Sequence, residues 1–119
     1  MAYEERLTNI SVPASGDLTA SQYRFMQINS SGKLALSGTA GRPDGVLQDD
    51  PDADGVPGAL AIAGVSKVVA GAALAAGLDV TSDSTGRAVA AATGDEVAGT
   101  TMGAATGAGS IIPVLLRVQ

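Results

Sequence analysis

Short alternating runs dominate this chain, and none is long. Ile10 and Val12 stand between polar neighbours, which suits one short strand. Tyr23-Arg24-Phe25-Met26-Gln27-Ile28-Asn29 and Lys33-Leu34-Ala35-Leu36 flank Ser30-Ser31-Gly32, the best hairpin signal present. Alternation sets Tyr23, Phe25 and Gln27 on one face of that hairpin and Met26 and Ile28 on the other. Gly45-Val46-Leu47-Gln48 follows Arg42-Pro43-Asp44 as a further strand, then an acidic loop, Asp49 to Gly55. Ala59 to Ala63 and Val65 to Val69 read as two strands around Gly64. Asp79-Val80-Thr81 and Arg87-Ala88-Val89-Ala90 bracket a Ser84-Thr85-Gly86 turn. Gly99 to Met102 and the run Ile111 to Val118 close the chain, with Pro113 expected to put that last strand at an edge or a bulge. Ala72 to Ala76 is the one stretch with helical propensity, five residues between glycines, enough for at most one short helix.

This pattern predicts an all-β fold, a small β-barrel or β-sandwich of short strands with Gly-rich turns. Residues 1–16 read as an extended N-terminal arm, because Pro13 and Gly16 interrupt any regular element. Residues 17–119 read as a single β domain. The two halves also rhyme at a shift of 54: Asn29-Ser30-Ser31-Gly32-Lys33 meets Asp83-Ser84-Thr85-Gly86-Arg87, Gly45 meets Gly99, and Met26 meets Val80. Two such units would pack as related hairpins closing one small barrel.

Composition narrows the chemistry. The chain has no His and no Cys, so imidazole and thiol catalysis, disulfides and thiolate metal sites are excluded. It has no Trp and few aromatics, and its net charge is −5, both adverse to nucleic-acid binding. The N-terminus is acidic where a signal peptide is basic, and the least charged stretch, Val56 to Leu78, is too interrupted to span a membrane. Ala and Gly make up almost a third of the 119 residues, so burial per residue is small. An isolated monomer is therefore expected to be marginal, with association supplying the missing burial.

Two motifs invite a ligand. Asp50-x-Asp52-x-Asp54-Gly55 copies the start of a calcium loop, but its twelfth position is Ala61 where a bidentate Glu is needed. The stretch from Gly103 to Ser110 is glycine-rich but lacks the Lys and the following helix of a phosphate loop. The acidic stretch is expected to be a solvated loop and the glycine-rich one a flexible loop. Paired carboxylates such as Asp95-Glu96 carry no catalytic signature of their own. The expectation is no enzyme, no cofactor and no metal site.

Ordered phrases run through the chain: Asp17-Leu18-Thr19-Ala20-Ser21-Gln22-Tyr23-Arg24-Phe25, the Ser-Gly-Lys turn, Arg42-Pro43-Asp44-Gly45-Val46-Leu47-Gln48, Gly64-Val65-Ser66-Lys67-Val68-Val69-Ala70-Gly71, and Val80-Thr81-Ser82-Asp83 through Gly86-Arg87-Ala88-Val89. From about residue 7 to residue 118 the sequence resembles the small capsid decoration, or cement, proteins of tailed bacteriophages. The resemblance implies a structural virion protein, made in the host cytoplasm, that sits as a trimer on the capsid exterior and bridges major capsid protein subunits. It implies no nucleic-acid or membrane partner. The expected contact residues are Leu7, Ile10 and Val12 of the arm, with the C-terminal strand as a second contact. The alternatives are another virion accessory protein, of head fibre or tail, and a small calcium-dependent binding module.

Overall fold

The computed structural model describes residues 5–39 and 43–117. The first four residues of the expected arm, Arg42 of the Arg42-Pro43-Asp44 phrase and Val118 of the last apolar run lie outside them. Among the described residues nine strands form one curled antiparallel sheet: β1 (Glu5–Pro13), β2 (Phe25–Ile28), β3 (Leu34–Leu36), β4 (Gly45–Leu47), β5 (Pro57–Val69), β6 (Asp79–Ser82), β7 (Ala88–Ala90), β8 (Gly99–Thr101) and β9 (Ile111–Leu116). Their order is β3-β2-β4-β5-β9-β8-β6-β7, with β1 laid along β5.

The sheet is two copies of one unit. Strands β2, β3, β4 and the start of β5 recur 54 residues later as β6, β7, β8 and β9. The registers match as well: Met26 faces Leu36 as Val80 faces Ala90, and Val46 faces Ala61 as Thr100 faces Leu115. Residues 65–69 of β5 pair β9 as β1 pairs the start of β5, so Val68 opposite Ile112 repeats Val12 opposite Gly58. Strand β5 is thus both the last strand of the first unit and the first strand of the second. Each unit is closed by one parallel bridge, Ala14 to Leu34 in the first and Ala70 to Ala88 in the second.

Close backbone approach explains the glycines at 45 and 99. A Cβ on Gly45 would lie 2.3 Å from the Ala61 carbonyl oxygen, and one on Gly99 would lie 2.5 Å from that of Leu115. No side chain fits there without moving the paired strand, so the repeat keeps glycine at both places.

Two expectations give way, those for the arm and for Pro113, while the limit of at most one short helix holds among the described residues. Over Glu5–Pro13 the arm is a paired strand, because its alternation finds β5 as a partner and Val12 reaches the core. Ala72 to Ala76 forms no helix; Leu74 exchanges backbone hydrogen bonds with Ala105 and buries its side chain. Strand β9 is interior, between β5 and β8. Pro113 is tolerated because it faces Lys67 on β5, while its carbonyl accepts from Met102 on the other side, just past the end of β8. The N–H that proline lacks would have pointed the same way, toward Met102 just past the end of β8, so the sheet loses one bond at the end of that ladder and none within it.

The units do not stack as equals. Val12, Ala14, Leu18, Met26, Leu34, Leu47 and Leu60 fill the first. The second is filled by its own residues, such as Val68, Val80, Ile112 and Val114, and also by Phe25, Val46 and Ala61 of the first unit. The outer face of the first unit therefore plugs the second.

Candidate functional site

Among the described residues the surface carries no pocket, and the candidate site is a face. Alternation along β9 sends Ile112, Val114 and Leu116 into the core and turns Ile111 and Leu115 outward. Ile111 faces Val69, and Leu115 sits between Val65 of β5 and Thr100 of β8. Met102, just past β8, is 44% exposed, matching Ile111 at 45% and Leu115 at 42%. A polar rim borders this strip: Arg117 Nε donates to Thr100 Oγ1 at 3.0 Å, and Thr100 donates to Asp79 Oδ1 at 3.1 Å. An apolar strip inside a charged rim is the usual anatomy of a protein contact surface.

Tyr23 lies beside this face, and sequence reasoning missed it. Its ring centroid is 5.6 Å from Lys67 Nζ, close enough for a cation–π contact. Its backbone has φ 63°, the only non-glycine residue so held among those described. The matching residue of the second unit is Gly77, at φ 76°. Both N–H groups donate to the same carbonyl of the repeat, Leu47 for Tyr23 and Thr101 for Gly77. Glycine is the residue this backbone prefers, and a side chain there costs about 1–2 kcal/mol. Tyrosine offsets that cost only through what its ring touches. The repeat alignment held the signal, since it sets a tyrosine opposite a glycine.

The residues expected to contact a partner part company. Val12 is 7% exposed and belongs to the core of the first unit, which corrects its assignment as a contact. Leu7 is half-buried against the larger core cluster. Ile10 alone presents a large exposed surface, at 40%.

The two ligand-like motifs are one loop in two copies. Gly55 N–H donates to the Ala14 carbonyl as Gly109 N–H donates to that of Ala70, and Leu18 N–H donates to Pro51 as Leu74 N–H does to Ala105. Both loops exist to end a strand and cap a unit. Their carboxylates do not converge. Asp54 pairs with Lys33 Nζ at 2.9 Å and accepts from Gly16 N–H, and Asp49 accepts from Ala59 N–H. The Lys33 hydrogen bond and charge hold the Asp54 carboxyl below the usual carboxylate range. No cluster of three metal-ligating side chains occurs among the described residues.

Asp83 heads the turn of the second unit. Its Oδ1 accepts from Thr85 and Arg87 N–H at 2.9 Å each, and Arg87 Nε meets Oδ2 at 2.9 Å. Burial pushes this carboxyl up, but the two backbone donors and the Arg87 side chain outweigh it and hold it below the usual value.

Comparison with known proteins agrees with this geometry. The head fibre gp8.5 N base of bacteriophage phi29 has the same fold: TM-score 0.75 and 19% identity, over 93% of this chain and 94% of that one. No curated protein matches. The family model for phage cement proteins matches residues 7–117, the span that holds both units from β1 to β9. The chain belongs to the phage cement protein family.

Proposed function

We propose that this protein is a structural component of a phage head that binds the outside of the icosahedral shell and stabilises the lattice of the major capsid protein. The observation that carries the reading is the cement-family match over both units. Tyr23 and Lys67, with Ile111 and Val69 nearby, are the ground for the capsid partner. Tyrosine gives a large rigid contact at small entropic cost, which suits a residue held in a strained backbone.

The role is mechanical rather than catalytic. A protein that binds only the assembled lattice stabilises it by linkage, about 4 kcal/mol per site at a thousandfold excess over Kd. Repetition over many sites, with the valency of a trimer, turns modest contacts into a tough shell.

A second reading, the base of a head fibre, is favoured by the likeness to the phi29 protein. Electron cryo-microscopy of heads carrying this protein separates the two. A cement subunit occupies every equivalent lattice position and bridges neighbouring capsid subunits; a fibre base occupies selected positions and carries additional density outward. Heads that take up no protein would overturn both readings.

A further inference from the structure

The contact between the two units within the chain has an unfilled counterpart at each end of the chain. Inside the molecule, the outer face of the first unit covers the second. Gln48 Nε2 donates to Ser66 Oγ at 2.8 Å, Ser82 Oγ donates to the Ser37 carbonyl at 3.3 Å, and Phe25 N–H donates to the Gly86 carbonyl at 2.7 Å. The repeat assigns each of these residues a copy. Gln48 corresponds to Met102 and Ser66 to Ile10. Ser37 corresponds to Ala91 and Ser82 to Ile28. Where the chain joins two polar pairs across its units, the corresponding residues are apolar, Met102 and Ile10 for the first pair and Ala91 and Ile28 for the second.

Exposure sharpens the point. Ile10, Ile28, Met102, Ile111 and Leu115 are the exposed large hydrophobics among the described residues. Four of the five copy positions at the internal contact; the fourth, Leu115, copies Ala61, which is fully buried there. The internal contact is also the less comfortable of the two. Arg24 Nε, Ser37 Oγ and Gln48 Oε1 are buried in it without partners, and their copies are Leu78, Ala91 and Met102. The open face is thus better suited to burial than the face the chain already buries.

The geometry points to head-to-tail association, in which the outer face of the second unit of one copy covers the first unit of the next, using Met102 and Ile10 as facing residues. The contact is heterologous, since the two surfaces differ, and it repeats between copies the arrangement already present within each. It stands on the repeat alone and holds whether or not the protein binds a capsid.

The chain has no cysteine, which makes the test clean. Two variants, Ile10→Cys and Met102→Cys, are each treated in solution with a short bis-maleimide, separately and as an equal mixture. The mixture is expected to give covalent dimers, and each variant alone to give none. Ile10→Asp in one member of the mixed pair's background, the Met102→Cys chain, should leave that chain able to pair through residue 102. Introduced into wild type, Ile10→Asp should weaken self-association in sedimentation at least about tenfold. No dimer in the mixture overturns the proposal. Equal dimer yield from either variant alone also overturns it, because that outcome reports a like-to-like contact.

Discussion

The turns Asn29–Lys33 and Asp83–Arg87 share one hydrogen-bond plan and live in opposite surroundings. In each, the side-chain oxygen of the first residue accepts two backbone N–H groups, and the glycine is left-handed, Gly32 at φ 75° and Gly86 at φ 77°. Around Gly32 there is open space, whereas a Cβ on Gly86 would lie 2.7 Å from the Phe25 carbonyl oxygen. The first turn faces outward and the second is packed against the first unit. Backbone geometry is set by the unit; the side chains are set by what covers the unit. That is why Phe25, Val46 and Ala61 have Asp79, Thr100 and Leu115 as copies.

The largest test of this contrast removes β1. Deleting residues 1–12 strips a strand paired to β5 over most of its length and Val12 from the core. The truncated chain should lose its cooperative unfolding transition in calorimetry. A soluble, cooperatively folded product would mean that residues 5–13 act as an arm after all. Next, Phe25→Ala should cost about 3–5 kcal/mol in denaturant unfolding, because the ring is fully buried between the units. Asp79→Ala, at the copied position, should change stability by no more than about 0.5 kcal/mol. Equal effects would show that the second outer face is covered within the chain.

Smaller differences follow at the turns. Gly32→Ala meets only the left-handed backbone and should cost about 1 kcal/mol. Gly86→Ala meets the same backbone plus the Phe25 carbonyl and should cost clearly more, read from the same unfolding curves. At the second turn acid should act through Asp83. Because the folded Asp83 carboxyl is held below the ordinary carboxylate value, its contribution is present above that ordinary value and lost as pH falls through the lowered folded one. Asp83→Asn should therefore reduce the fall in melting temperature on acidification. Asn29 already makes the same backbone contacts without a charge. The smallest effect is expected from calcium: millimolar addition should leave the melting temperature unmoved, since Asp54 and Asp49 are engaged elsewhere. A rise of several degrees, abolished by Asp52→Ala, would show a site.

Much of the fold was legible because turn chemistry is local. The Asn29–Lys33 and Asp83–Arg87 turns carry the repeat in their own residues, and the shift of 54 then holds for four strands of each unit. Less local features were hidden. Pro13 and Gly16 suggested a detached arm, yet pairing with β5 depends on residues more than forty positions away. Pro113 suggested an edge, and only the length of β8 shows why an interior strand tolerates it. The candidate face was not legible from Leu7, Ile10 and Val12: Ile10 and Val12 share one face of β1, yet packing buries Val12 and leaves Ile10 exposed. Tyr23 escaped notice because its distinction is its backbone, which no side-chain pattern reveals.

The central claim is that this family member stabilises a phage head from outside. The direct measurement is the rupture temperature of purified, DNA-filled heads lacking the protein, taken by calorimetry with and without saturating addition of the wild-type chain. The account predicts saturable binding and a higher rupture temperature, with both effects reduced by Tyr23→Gly, which keeps the left-handed backbone and removes the ring. Binding that leaves the rupture temperature unchanged would contradict it.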